Sequence, residues 1–359
     1  MKIIMIGFGV VGQSIAEILT LRSVELKEEY GINPKVVAIV DRRGAATSKE
    51  GIDLRKALET KKSMGSISAL QGIGKLGYTA LDVLEGVDGD LVIEVTPTNV
   101  ETGEPGLTHI KTALSLGRHI VTTNKGPLAL ALPNLLELSR KNDACLRFSG
   151  AVGGGIPVLA FAKRCLLGEK IIAIRGVLNG TTNYVLWKMA EEHVDLERAL
   201  EEARKLGYAE ANVSYDLDGI DAACKLVILA NWVMNFKARL SDVEIQGING
   251  ITLQEIMDAD RENSAVRLVG SIDNGITVSP RRISKRDPLC VNAAYNAIQF
   301  TTAYSGQHIL IGKGAGGQET AVSVIRDILD IQQTIEQTNP LTQKVVGKYA
   351  DTPLSVYSK

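Results

Sequence analysis

The sequence predicts an α/β chain whose two halves are built differently, and three observations carry this. Short apolar runs at residues 2–6, 35–40, 91–95 and 119–122 alternate with segments of helical period. That is the pattern of a parallel sheet covered on both faces. A glycine-spaced loop, Gly7-Phe8-Gly9-Val10-Val11-Gly12, follows the first run directly. Beyond about residue 150, strands gather with little helix between them, which predicts an α+β half with a mixed or antiparallel sheet.

Taken in order, residues 2–6 form a buried strand and residues 10–20 repeat their apolar positions at helical spacing. Residues 22–33 read as an insertion before the second strand, which ends at Asp41. Helices at 106–116 and 128–141 flank the strand at 119–122. The second half opens with a strand at 171–178 and helices at 182–192 and 196–206, the latter capped by Asp195 and stopped by Gly207. A long apolar helix covers 219–236. Strands follow at 266–272, 277–283, 297–303 and 308–311, and a glycine-rich turn at 312–317 leads into a helix at 319–330. The expected domains are 1–150 together with 305–335, then 151–304, with a tail at 336–359.

Composition narrows the function. A chain of 359 residues fits about two domains. Forty basic residues against 41 acidic ones leave a net charge of −1, so no basic surface points to nucleic acid. Aromatics are only 4%, too few for a base-stacking platform. The sequence shows neither an apolar run long enough for a membrane span nor a signal-peptide pattern. Cys145, Cys165, Cys224 and Cys290 form no Cys-x-x-Cys pair, which argues against a zinc or redox motif and fits the reduced thiols of a cytoplasmic protein.

Gly7, Gly9 and Gly12 match G-x-G-x-x-G between a strand and a helix, the context of a Rossmann dinucleotide-binding domain. The first glycine permits the turn, the second admits a pyrophosphate, and the third lets helix and strand pack closely. At the end of the second strand two signals compete. Asp41 suits the ribose hydroxyls of NAD, whereas Arg42 and Arg43 suit the 2′-phosphate of NADP. Thr96-Pro97-Thr98 and Lys125, in Thr123-Asn124-Lys125-Gly126-Pro127, follow parallel strands and belong at the cofactor crevice. The segment 179–184, containing Gly180 and Thr181, offers hydroxyls and amides for a small polar ligand. Asp221 and Lys225 share one face of the long apolar helix, and on spacing alone they also fit an ordinary exposed i,i+4 pair.

The runs GFGVVG, TTNKGPLA, VGGGIPV, NGTTNY and D-x-D-G-x-D-A-A-x-K-L, in this order over residues 1–330, resemble the motif set of homoserine dehydrogenase. The resemblance implies reversible reduction of L-aspartate 4-semialdehyde to L-homoserine by NADH or NADPH. It assigns proton transfer to Lys225, with Asp221 beside it and Lys125 lining the reaction site. It assigns the substrate ammonium to Glu210 and Asp216, and further substrate contacts to Thr181 and Tyr208. Gly314 and Gly316 match the point where the chain returns to the dinucleotide. It also implies a homodimer and a monovalent-cation loop at Val152 and Gly154. In that loop Ser149 stands where the family carries a glutamate, and losing a carboxylate weakens a site for a hard cation. Near Glu210 the family's Glu-Pro-Asp-Pro is replaced by Glu210-Ala211-Asn212-Val213. The segment after the glycine-rich turn is too short for an ACT-type regulatory domain, so a stand-alone enzyme is expected. The alternatives are a dehydrogenase of another small amino or oxo acid and a non-catalytic dinucleotide sensor.

Overall fold

The apolar run KIIMI becomes β1 (Lys2–Ile6), buried everywhere but Lys2. The computed structural model describes residues 1–209 and 212–338. From β1 the glycine loop feeds α1 (Val10–Leu21), and a short α2 (Ser23–Glu28) fills the stretch read as an insertion. Then follow β2 (Lys35–Asp41), β3 (Gly44–Thr47), α3 (Leu54–Met64), β4 (Gly74–Leu76) and α4 (Ala80–Gly86). The first half closes with β5 (Leu91–Glu94), α5 (Gly106–Ser115), β6 (His119–Thr122), α6 (Lys125–Lys141) and β7 (Leu146–Arg147).

These strands form one sheet in the order β4-β3-β2-β1-β5-β6-β7. Strands β2, β1, β5, β6 and β7 are parallel, as expected. The expectation is corrected at one edge, where β3 runs antiparallel to β2 and β4 antiparallel to β3. Only Arg42 and Arg43 separate β2 from β3, and so short a link permits only a hairpin. Helix α6 starts at Lys125 rather than at 128. Pro127 lies in its first turn, where a missing N–H costs no helical hydrogen bond.

The second half comprises α7 (Val158–Ala160), β8 (Ile171–Val177), α8 (Gly180–Glu192), α9 (Leu196–Lys205), α10 (Ser214–Leu217) and α11 (Ile220–Trp232). After these come β9 (Val243–Ile245), α12 (Leu253–Arg261), β10 (Ser264–Ile272), β11 (Ile276–Ser284), β12 (Tyr295–Thr302), β13 (Gln307–Lys313) and α13 (Gly317–Thr338). The second sheet has the order β13-β12-β8-β10-β11-β9 and is mixed, because β9 pairs parallel with β11. Helix α11 is shorter than the expected 219–236. Gly219 lies outside it with φ +82°, and the Asn231 amide ties its last turn to the backbone N–H and carbonyl of Ala238.

The return to the first half comes later than residue 305, since β13 still pairs with β12. The glycines after Lys313 make the crossing, and α13 then buries Ala321, Val324, Ile325, Ile328 and Ile331 against Ile3, Met5 and Ile15. This helix runs past residue 335, and residues 339–359 lie outside the described residues. A second apolar core joins the two halves, running from Ile4 and Val92 through Leu128 and Phe148 to Leu226 and Phe300. Within it α11 packs on α6. Among the described residues no helix is long and apolar enough to cross a membrane.

Candidate active site

The three loop glycines have separate roles in the geometry. Gly7 has φ +104°, and a Cβ there would meet the Val95 carbonyl oxygen at 2.6 Å. A Cβ on Gly12 would meet the Gly7 carbonyl oxygen at 2.2 Å, whereas one on Gly9 would meet nothing within 4 Å. Gly7 and Gly12 therefore close the strand–turn–helix unit, and Gly9 leaves space before α1. Helix α1 begins with no side-chain cap and no acidic residue in its first turn. Its free N–H groups and positive dipole end suit a pyrophosphate, so the residues fit a dinucleotide. Phe8 turns into the core while Val10 is exposed, so Phe8 offers backbone rather than side chain to a ligand. The loop containing Thr96, Pro97 and Thr98 abuts Gly7. The return past Gly314 and Gly316 reaches the same rim, since a Cβ on Gly317 would meet Val10 Cγ1 at 2.7 Å and Ser14 Oγ at 2.9 Å.

Asp41, at the end of β2, is engaged within the fold. Its carboxylate accepts hydrogen bonds from Lys61 Nζ at 2.6 Å, Ile67 N at 2.9 Å, Arg43 N at 2.9 Å and Ser66 Oγ at 3.0 Å. Burial alone would raise its pKa, but these donors, Lys61 foremost, hold it below the usual value. The side chain is only 5% exposed, and its acceptor sites are spent on Arg43 beside it, on Lys61 of α3, and on Ser66 and Ile67 just after that helix. Arg42 and Arg43, in contrast, are exposed.

The chemistry gathers where α6 meets α11. Lys125 opens α6, and Asp221 and Lys225 stand one turn apart at the head of α11. Helix packing sets both ammonium groups on one carboxylate. Lys125 Nζ lies 2.8 Å from Asp221 Oδ1, and Lys225 Nζ lies 2.7 Å from Oδ2. Lys225 also donates to the Leu178 carbonyl at 2.6 Å. Two of its three donors are thus committed and one remains. Burial would raise Asp221, but Lys125 and Lys225 override it and hold the carboxyl far below the usual range. The charge of Asp221 in turn raises Lys125 against the opposing effect of burial. Asp216 is pushed up, first by burial and then by the charge of Asp221. Burial together with Asp221 pushes the Cys224 thiol up to about 12, which leaves it unreactive.

Lys225 is 6% exposed, so the surface-pair reading of Asp221 and Lys225 is excluded. In the segment 179–184 several polar side chains are used inside the fold. The Asn183 amide donates to the carbonyls of Val291, Ala293 and Tyr295. Thr181 Oγ1 donates to the Tyr208 carbonyl at 2.7 Å, and the Tyr208 ring lies 4.9 Å from that of Tyr184. Thr181 therefore anchors the loop carrying Tyr208. A Cβ on Gly180 would meet the Ala294 carbonyl oxygen at 2.9 Å, which accounts for the glycine by packing. Glu210 lies outside the described residues.

Loop 149–155 is held by α13. Ser149 N and Oγ donate to the two oxygens of Asp327 at 2.7 and 2.6 Å. Ser323 Oγ donates to the Gly154 carbonyl, and Arg326 Nη2 faces the Gly155 carbonyl at 3.4 Å. Val152 is fully buried beside them. The nearby carboxylate is thus spent on Ser149, a hydroxyl hydrogen already occupies the Gly154 carbonyl, and a guanidinium supplies positive charge. This donor set does not fit a hard cation.

The sequence pattern contains Asn179 and Asn124 within its motif segments but assigns neither a role of its own, and Glu94 stands in no motif. Asn179 precedes a helix, which is a visible capping signal. Glu94, fully buried, accepts from Thr96 N at 3.1 Å and Thr122 Oγ1 at 3.0 Å. Asn124 Nδ2 reaches the Thr96 carbonyl at 3.4 Å. Together Glu94 and Asn124 clamp the loops that carry Thr96 and Lys125, and no local pattern announces them.

Comparison with known proteins bears on both halves. A family model described as homoserine dehydrogenase matches residues 157–329, and one described as homoserine dehydrogenase, NAD binding domain, matches residues 7–149. The homoserine dehydrogenase of Methanocaldococcus jannaschii is 40% identical, covering 94% of this chain and 100% of that protein. The NAD(+)-dependent homoserine dehydrogenase of Pseudomonas canavaninivorans is 36% identical, covering 93% of this chain and 96% of that protein. A solved hyperthermophilic archaeal homoserine dehydrogenase in complex with NADPH has a TM-score of 0.80 at 32% identity, over 93% of this chain and 98% of that one.

Proposed function

The chain belongs to the homoserine dehydrogenase family, and from that premise we propose how its residues divide the work of reversibly reducing L-aspartate 4-semialdehyde to L-homoserine. The protein is an NAD(P)-dependent oxidoreductase acting on a CH–OH group. The observation that carries the reading is Asp221 held between two lysines, one of which keeps an uncommitted N–H.

The nicotinamide, when bound, supplies the hydride for the substrate's aldehyde carbon. As that carbon gains its hydrogen, negative charge develops on the carbonyl oxygen. Lys225 donates a proton there, and Lys125 adds a second positive charge nearby. In the reverse direction neutral Lys225 takes the proton from the homoserine hydroxyl. Asp221 keeps both ammonium groups in place. Asp216 receives the substrate ammonium, and the resemblance adds Glu210 as a second acceptor. Tyr208 and Thr181 shape the substrate loop. The backbone of 7–12 receives the pyrophosphate, with Thr96, Pro97, Thr98, Gly314 and Gly316 along the rim. Arg42 and Arg43 meet a 2′-phosphate, a reading supported by their exposure and by the internal commitments of Asp41. NADP is therefore the favoured nucleotide.

We also infer a homodimer. Strand β13 is a sheet edge with Ile309 and Ile311 on its exposed face, Ile311 at 54% exposure. Unpaired cysteines support a cytoplasmic location. The test is homoserine-dependent formation of reduced nicotinamide with NAD+ and NADP+ in turn. Faster turnover with NADP+, reversed by Arg42→Ala with Arg43→Ala, is the expected result. Absence of homoserine-dependent reduction would overturn the proposal, and light scattering would measure the assembly.

A further inference from the structure

Between the two aspartates of the site stands a side chain with no part in the scheme above. Asn179 follows β8 and caps α8. Its Oδ1 accepts from Thr182 N at 2.8 Å and from Thr182 Oγ1 at 3.0 Å. Those two donors fix which end of the amide is nitrogen. The nitrogen then donates to Asp216 Oδ1 at 2.6 Å and to Asp221 Oδ2 at 2.9 Å. An amide nitrogen has two hydrogens, and both are spent, one on each carboxylate. Asn179 is 5% exposed, so water does not compete for these bonds.

Two carboxylates beside two ammonium groups have more than one possible pairing. Lys125 and Lys225 both act electrostatically on Asp216 as well as on Asp221. A swap that drew Lys225 to Asp216 would consume the carboxylate meant for the substrate. We propose that Asn179 is a positioning residue that prevents the swap, holding Asp221 toward the lysines and Asp216 toward the amino group of the substrate.

The amide suits this task because it is neutral. A lysine at this position would neutralise Asp216 and remove its attraction for an ammonium, while an acid would add a third negative charge. With Oδ1 held by Asn179, Asp216 Oδ2 makes no hydrogen bond among the described residues and stays available. Asn179 thereby sets specificity for substrates carrying an amino group, although it touches neither the reacting carbon nor the nucleotide. The inference rests on the assignments under Proposed function.

Asn179→Ser keeps a helix-capping oxygen and removes both N–H donors. Its homoserine KM should rise about 30-fold, as expected for a lost hydrogen bond to a charged group. The KM for NADP+ should stay within two-fold, roughly, because the glycine loop is untouched. 4-Hydroxybutyrate, which is homoserine without the ammonium, is tested against homoserine as a competitor and separates positioning from general damage. Its inhibition constant should be unchanged in the variant, so the preference for the amino group collapses. Asn179→Asp, which keeps the amide's shape and its cap, should lose more, and it serves if the serine variant fails to fold. A folded variant with unchanged homoserine KM, or one weakening homoserine, 4-hydroxybutyrate and NADP+ equally, overturns the inference. Lys225→Ala is the control. If it remains active the parent assignment fails, and if it is inactive while Asn179→Ser is unimpaired, only the role of Asn179 fails.

Discussion

Two carboxylates in this molecule are withdrawn from water, and they answer burial in opposite ways. Asp221 has a side chain 12% exposed, and Asp327 is 3% exposed. Burial is the largest influence on both, and it favours the protonated form. At Asp221 two ammonium groups in direct contact win, and the carboxyl is held far below the usual range. At Asp327 the contacts are the N–H and O–H of Ser149, while Arg147 and Arg326 act more weakly, so burial wins and the carboxyl is pushed up to about 6. Direct contact with charge, rather than depth, separates a group that stays ionised from one that titrates near neutrality. The first assignment suits a site whose carboxylate must hold two lysines in place, and the second suits a structural clamp.

The largest effect that tests this contrast is Lys225→Ala. Removing the proposed proton donor should lower kcat about 1000-fold. If the Asp221 cluster were a clamp like that of Asp327, the variant would lose thermal stability and keep its kcat. Asp221→Asn comes next. It leaves Lys125 and Lys225 facing each other without a counter-charge, and should cost about 3–5 kcal/mol in urea unfolding, together with most of the activity. Little change in stability would show that water already screens the pair.

Asp327 gives a smaller and pH-dependent effect. Its folded pKa lies above its unfolded value, so its stabilising contribution is complete below pH 3.8 and is lost as pH rises through about 6. The loss is about 3 kcal/mol. Asp221, with its folded pKa depressed, contributes stability above pH 3.8 that is lost as pH falls below it. Asp327→Asn should therefore gain stability relative to the parent between pH 4 and pH 7, with kcat unaltered; a flat difference would break the contrast. The smallest expected effect is that of monovalent cations. Replacing sodium or potassium by tetramethylammonium at constant ionic strength should change kcat/KM by less than about two-fold, given the donors already facing loop 149–155. A strict requirement would place a cation beside Asp327, where it would hold that carboxylate ionised and erase its pH dependence.

Much of this molecule was legible residue by residue. β1, α1, β6 and the Asp195 cap of α9 are local, set by apolar period and capping chemistry within a few positions. The edge strands β3 and β4 were not, because GAAT and GKL are too short and too plain to carry a strand pattern. The place of Asp41 at the end of β2 fits the Rossmann pattern, and its capture by Lys61, Ser66 and Ile67 depends on the long connection between β3 and β4.

What the sequence by itself determined is the set of groups: three loop glycines, an aspartate and a lysine one turn apart, a second lysine after a parallel strand, and the family they belong to. Their spacing follows from backbone geometry, which is local. Only the tertiary structure decided which charges meet. Lys125 reaches Asp221 because α6 packs on α11, Ser149 reaches Asp327 across 178 positions because α13 returns to the first sheet, and Asn179 stands between two aspartates because β8 ends beside both. Whether a buried carboxylate keeps its charge depends on contacts of that range, and no window along the chain contains them.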